Sequence, residues 1–216
     1  MNHQGISAFT DNQPYRTRRF PTPFGDIEVT INDQCIVASH YTLNSGSVMG
    51  DSADGRSEPT ISSPIAAQRK NLFSTAGASK AQRHLFQQIG EQLDEYFSGT
   101  NLVFTLPLCA EDEPSEFTKV VREEMTHIPP GDVLTYGELA EAVGRPRAAR
   151  AVGTVCRTNP IQLFIPCHRV IAAGGSLGGY MGGSRGLVLK QQLLEKEGVP
   201  FTAEGKVDFN ELARRQ

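Results

Sequence analysis

"TYGELAEAVGRPRAARAVGTVCRTNP", residues 135–160, decides how this chain folds. Thr135-x-x-Glu138 has the spacing of a capping box, in which a hydroxyl and a carboxylate satisfy the free amides at a helix start. A short helix from Tyr136 to Val143 follows, with Leu139, Ala140 and Val143 inward and Gly144 as its stop. Pro146 suits the first turn of a second helix, from about Arg147 to Thr158. On that helix Ala148, Val152 and Val155 form an apolar stripe, while Arg147, Arg150, Thr154 and Arg157 form a polar one. Two short helices joined by a tight Gly-x-Pro turn make a helix-turn-helix candidate. Ala149, Ala151 and Gly153 let the second helix come close to a partner. The arginine stripe reads either as a solvated basic face or as a DNA-binding face, and the tight helix pair favours DNA.

Downstream, "FIPCHRV", residues 164–170, sets a thiol beside an imidazole in an apolar run. Ile161 to Ile165 reads as a short buried strand leading into it. Neighbours on an extended chain point to opposite faces, so His168 needs a bridging water or a bend to reach Cys167. From Ala142 to Leu194 there is no Asp or Glu, but Arg145, Arg147, Arg150, Arg157, Arg169, Arg185 and Lys190 are present. Such surroundings lower a thiol pKa and suit an anionic partner. "AAGGSLGGYMGG", residues 172–183, lacks the order of a phosphate-binding loop and reads as a bent loop walling a pocket with Tyr180. A helix from Gly186 to Glu197 ends at Gly198.

Upstream, residues 1–17 are polar and aperiodic, a composition that predicts disorder. Ile27, Val29 and Ile31 alternate with Glu28, Thr30 and Asn32; Asn32-Asp33 reads as a turn and Ile36 to Tyr41 as the return strand. Residues 44–80, rich in Ser, Gly, Ala and Pro, read as a long mobile loop. Ser79-x-x-Gln82 is a second capping box, opening a helix with Leu85, Phe86, Ile89, Leu93, Tyr96 and Phe97 on one face and Gly99 as its stop. Leu102 to Leu108 reads as extended. A helix fits Ser115 to His127, with Phe117, Val120, Val121 and Met125 inward.

The fold class is α+β. A small N-terminal domain (18–110) carries a short antiparallel sheet and a helix. A mainly helical C-terminal domain (111–200) carries the helix-turn-helix, and 201–216 form a C-terminal tail. Four cysteines without a C-x-x-C pair are expected to be reduced thiols in an intracellular compartment, with Cys35, Cys109 and Cys156 as small buried hydrophobes. No apolar stretch is long enough for a membrane span and no secretory h-region opens the chain. A net charge of −3 argues against indiscriminate nucleic-acid binding.

"IPCHRVI", preceded by "RPRAARAVGTVCRTNP" and followed by "GGSLGGYMGG" and "LLEKEG", resembles the O6-alkylguanine-DNA alkyltransferase family, also called methylated-DNA–protein-cysteine methyltransferases. The resemblance runs from about Phe117 to Gly198, and more loosely through "TPFGDIEV" and "EYFSG". It implies direct reversal of O6-alkylguanine damage in one turnover, with Cys167 as acceptor, His168 as base through a water, Glu197 orienting His168, and Asn159 as hinge. It implies that Arg150 fills the space of the flipped base, that Tyr136 lies at the flipped nucleotide, and that Thr118 and Arg145 contact DNA, with Arg157 on the same basic stripe. Tyr180, Val170, Met181 and Gly182 are then the substrate pocket, with the carbonyls of Cys167 and Val170 facing the guanine amino group. The implied partner is double-stranded DNA, bound by a monomer in the minor groove with the alkylguanine flipped out. No cofactor is implied. No metal is expected, because Cys35, His40, His84 and Cys109 do not fall on the zinc pattern of some relatives. The implied location is the cytoplasm in a prokaryote or the nucleus in a eukaryote. Met181 stands where relatives often have serine and Gln162 where many have proline. Three other readings remain: a sensor of alkylated DNA, in which relatives replace the cysteine; a helix-turn-helix regulator, which has no need of His168 and Glu197; and a Cys-His hydrolase.

Overall fold

The computed structural model describes residues 15–42, 77–110 and 114–215. Most of the 1–17 stretch and of the 44–80 loop lies outside the described residues. β1 (Arg16–Thr22), β2 (Gly25–Ile31) and β3 (Ile36–Thr42) form an antiparallel sheet in that order. The alternating pattern predicts β2 and β3, which turn at Asn32 as expected: its side-chain oxygen accepts from the backbone of Gln34 (2.7 Å) and Cys35 (2.9 Å). β1 corrects the reading of 1–17, since its first two residues lie inside that stretch. Its buried residues, Thr17 and Phe20, are three apart and show no period of two, and the Thr17 hydroxyl meets that of Thr30 at 2.7 Å.

The sheet packs on α1 (Lys80–Ser98), which starts at the expected Ser79–Gln82 capping box and stops at Gly99. Leu85, Phe86, Ile89, Leu93 and Tyr96 form its buried face. Beyond it, residues 102–107 form no regular element, and Leu108 bridges to Ile36 of β3, with Ile36 N donating to Pro107 O at 2.8 Å. Cys35 and Cys109 form a disulfide here, Cα atoms 5.8 Å apart, which corrects the expectation of four reduced thiols. Adjacent pairing of β3 with this segment brings the two cysteines together although 74 positions separate them.

α2 (Glu116–His127) is capped by Ser115 and buries Val121 and Met125. Val120 is 37 % exposed, not inward as its spacing suggests. β4 (Leu134–Thr135) leads into α3 (Tyr136–Ala142), whose capping box forms as expected. α4 spans Ala149–Arg157, so Pro146 lies in the preceding turn and not in the helix. That turn closes through Arg145 N to Ala140 O and Ala148 N to Arg145 O, both 2.8 Å. Val152 and Val155 are buried, each worth about 1.5–3 kcal/mol against exposure. Arg147, Arg150, Thr154 and Arg157 face outward.

The expected strand from Ile161 to Ile165 is instead a turn. Ile165 N donates to Ile161 O at 2.9 Å and Leu163 takes φ 72°. This turn docks on β3, where Ser39 N donates to Pro160 O (2.9 Å) and Gln162 N to Ser39 O (3.1 Å). β5 (Val170–Ile171) then pairs in parallel with β4, tying the start of α3 to the segment after Cys167. α5 (Ser184–Lys196) and α6 (Phe209–Ala213) complete the chain. The C-terminal tail folds back, burying Val199, Val207 and Leu212 against Leu194, Ile171 and Val133.

Candidate active site

Pro166 is followed by one turn of 3-10 helix, Cys167–Arg169. This bend replaces the extended geometry read from the sequence. With three residues per turn, the side chains of Cys167, His168 and Arg169 leave the axis about 120° apart. All three are buried.

Asn159, just past α4, holds the turn. Its Nδ2 donates to Ile165 O (2.8 Å) and to the Cys167 sulfur (3.1 Å), and its Oδ1 accepts from Ile161 N (3.1 Å). Behind the turn, Glu197 is the C-cap of α5. Its carboxylate accepts from His168 Nε2 (2.9 Å), from Arg169 Nε (2.9 Å) and Nη2 (2.8 Å), and from the Tyr96 hydroxyl (2.7 Å). Arg169 also donates to Ile128 O at 2.6 Å. Burial works against the Glu197 charge, but His168 and Arg169 prevail and hold its pKa at about 2. Tyr96 stacks on Phe104 (5.1 Å between ring centres), and Phe104 meets Phe164 edge-on (4.8 Å), so the N-terminal half braces this relay.

A carboxylate only accepts, so His168 Nε2 carries a proton and Nδ1 keeps its lone pair. Burial lowers the His168 pKa, partly offset by Glu197, and the imidazole is neutral near pH 7. Nδ1 is buried and has no hydrogen-bond partner among the described residues. A neutral imidazole with a free basic nitrogen is a general base.

The thiol behaves differently from the sequence reading. Positive surroundings predict a lowered pKa, yet burial pushes Cys167 up, only partly opposed by Asn159 and Lys190. Lys190 enters the sequence analysis only as one cation of the basic tract. Fully buried on α5, it donates to Val170 O (2.5 Å) and Leu177 O (2.6 Å). Its one signal in the sequence is a cation inside the apolar run "GLVLKQQLL".

Cys167 opens on a cavity of about 480 Å³, a size that suits a purine-sized ligand. Tyr136, Arg150, Arg157, Tyr180, Met181 and Gly182 line it with Cys167; the resemblance names Tyr180, Met181 and Gly182 as pocket residues and Tyr136, Arg150 and Arg157 as DNA contacts, and Val170, its fourth pocket residue, does not line the cavity. Cys156 and Gln162 line it as well. Cys156, read as core, stands in the wall, its pKa pushed by burial to about 12. Gln162 is anchored by its Oε1 accepting from Tyr41 N at 3.3 Å. The glycine loop shapes the rim. A Cβ on Gly178 would stand 2.8 Å from the Tyr136 hydroxyl, and one on Gly186 would stand 2.0 Å from Tyr180 O. Met181 takes φ 49°, unusual for a side-chain-bearing residue. Thr118 and Arg145 do not line the cavity; they lie on α2 and in the α3–α4 turn. The Val170 side chain is buried, and its carbonyl already accepts from Lys190. No group of three or more metal-ligating side chains occurs among the described residues.

Residues 116–199 match the family described as 6-O-methylguanine DNA methyltransferase, DNA binding domain. The chain is 43% identical over 113 residues to a methylated-DNA–protein-cysteine methyltransferase of Methanosarcina acetivorans, covering 52% of this chain and 69% of that one. Its fold is similar to the crystal structure of Mycobacterium tuberculosis O6-methylguanine methyltransferase (TM-score 0.64, 28% identity, 85% of this chain and 93% of that one). A Mycobacterium tuberculosis structure in complex with DNA is similar too (TM-score 0.62, 28% identity, 84% and 92%).

Proposed function

The chain belongs to the methylated-DNA–protein-cysteine methyltransferase family, and from that premise we propose that Cys167 is the residue that takes the alkyl group of O6-alkylguanine in DNA. Its function is DNA repair by direct reversal, through alkyl transfer to a protein cysteine. The observation that supports the assignment to Cys167 is that, of the two cysteines lining the cavity with Tyr136, Arg150 and Tyr180, it alone has next to it in the chain a neutral histidine locked on a carboxylate.

His168 Nδ1 takes the thiol proton through a water. The thiolate attacks the saturated O6-alkyl carbon, so an S–C bond forms and the C–O bond breaks with its electron pair going to O6. A proton returns to guanine, leaving unmodified guanine and an S-alkyl cysteine. A thioether is a poor leaving group and offers water no carbonyl, so the protein works once. Double-stranded DNA is bound along α4 in the minor groove by a monomer, and Arg150 fills the gap left by the flipped base. The division into an N-terminal part (18–110) and a C-terminal part (111–200) belongs to the same proposal, with α1 and Phe104 bracing the relay. No described helix is long and apolar enough to cross a membrane; the cytoplasm or nucleus is where such a substrate lies.

Intact mass after incubation with duplex DNA carrying O6-methylguanine tests this reading. One methylene is gained per molecule, on the peptide holding Cys167, and Cys167→Ser gains none while still binding the DNA. Transfer to another cysteine, or turnover beyond one equivalent, overturns it.

A further inference from the structure

Lys190 is one of the largest fully buried side chains in the protein, in the middle of α5. Its ammonium donates to two carbonyls, Val170 O and Leu177 O, at 2.5 and 2.6 Å. None of the ion pairs among the described residues includes it. An ammonium this deep without a counter-charge is expensive, and proteins keep such groups where an anion is formed beside them. Val170, whose carbonyl Lys190 holds, caps the 3-10 turn that carries Cys167, its amide donating to Cys167 O, so the ammonium is tied to that turn. The acids whose charge it would feel are the two cavity thiols, Cys167 on the turn and Cys156 on α4. The other titratable groups nearby are His168 on the same turn, Tyr136 on α3 and Tyr180 in the glycine loop. His168 is neutral and both tyrosines are raised by burial, so none of them supplies a negative charge near neutral pH.

We propose that the Lys190 ammonium is the counter-charge of the Cys167 thiolate, a positioning residue that makes the buried sulfur ionisable while clamping the Val170 and Leu177 carbonyls. The proposal rests on Cys167 being the alkyl acceptor. It divides the work of activation. His168 receives the proton; Lys190 stabilises the anion left behind. Once the sulfur is alkylated and neutral, the ammonium loses its partner. Glutamine at this position keeps amide donors for the carbonyls and removes the charge, which separates the two roles.

The test compares wild type with Lys190→Gln and Lys190→Arg. Iodoacetamide labelling of Cys167, read by peptide mass across pH, reports the thiolate directly. Reaction with free O6-benzylguanine reports alkyl transfer without DNA. In Lys190→Gln both profiles shift to higher pH by about one unit, so the reaction is roughly tenfold slower than wild type at pH 7 and the deficit disappears in strong alkali. Lys190→Arg keeps the wild-type profile. An unchanged iodoacetamide profile in Lys190→Gln, or a loss equal at every pH, overturns the inference. A wild type that reacts with iodoacetamide but takes nothing from O6-benzylguanine sinks the alkyl-transfer reading instead. A measurement on wild type alone stands in if the variants do not fold: NMR of 13Cε-lysine before and after S-methylation shows a fall in the Lys190 pKa. No change there overturns the proposal equally.

Discussion

Glu197 and Lys190 are buried charges on one helix, α5 and its C-cap, and they are accommodated in opposite ways. Glu197 gathers donors from three other positions, Tyr96, His168 and Arg169. Lys190 meets two neutral carbonyls, those of Val170 and Leu177, and no carboxylate among the described residues. A charge matched on all sides fixes a frame, because every partner loses if one moves. A charge matched only by dipoles leaves its field directed at whatever anion can form nearby. The relay at Glu197 is therefore structure as much as catalysis, whereas the cavity side of Cys167 is held ready at some expense of stability.

The sharpest way to break this contrast is Glu197→Gln. Removing the anion strands buried Arg169, and a broken buried pair of this kind costs about 3–5 kcal/mol. Urea unfolding at pH 7 measures it; a loss below about 1 kcal/mol would place Glu197 outside the frame. The pH dependence has a definite sign. The folded pKa of about 2 lies below the ordinary 4.5, so the stabilisation is complete above 4.5 and is lost as pH falls toward 2. Wild type and variant therefore converge in acid and diverge in neutral solution.

Arg150→Ala probes the cavity mouth, where nothing is braced. Arg150 is exposed and lines the cavity, so unfolding free energy changes by no more than about 0.5 kcal/mol. Repair in duplex DNA slows about tenfold or more, because holding a base out of the stack costs a few kcal/mol. The rate with free O6-benzylguanine stays within about twofold of wild type, since a free base needs no extrusion. Single-turnover rates on the two substrates decide it: equal losses on both would make Arg150 a structural residue.

What the sequence made legible follows the same division between local and distant interactions. The helix-turn-helix was readable because Thr135, Glu138, Val152 and Val155 act within a turn or two of themselves. Cys167 and His168 were readable because the pair is contiguous. Glu197 entered only through the family resemblance, and Tyr96, 101 positions from it, was read as a core aromatic; its hydroxyl bond depends on how α1 meets α5. Lys190 reads as one more cation in a basic tract, and burial alone sets it apart. The turn at Ile161 to Ile165 was missed because its apolar residues fit a strand equally well, and β3 decides the matter through Ser39 and Gln162. Cys35 and Cys109 meet through that same edge.

The smallest effect belongs to Met181, which lines the cavity. Its φ of 49° costs an L-residue about 1–2 kcal/mol relative to right-handed backbone. Glycine removes that cost but gives back about 0.5–1 kcal/mol in unfolded-chain entropy. Met181→Gly is thus expected to stabilise the fold by about 0.5 kcal/mol, seen as a small rise in the urea midpoint at unchanged slope. The same substitution removes a long side chain from the cavity rim. The rate with O6-benzylguanine should rise severalfold relative to O6-methylguanine, because only the larger group reaches the rim. If the benzyl rate falls instead, methionine is packing its sulfur on the aromatic ring, a contact worth about 0.3–1.5 kcal/mol. The backbone strain would then be the cost of a specificity contact, and the cavity side would prove as finely fitted as the frame behind it.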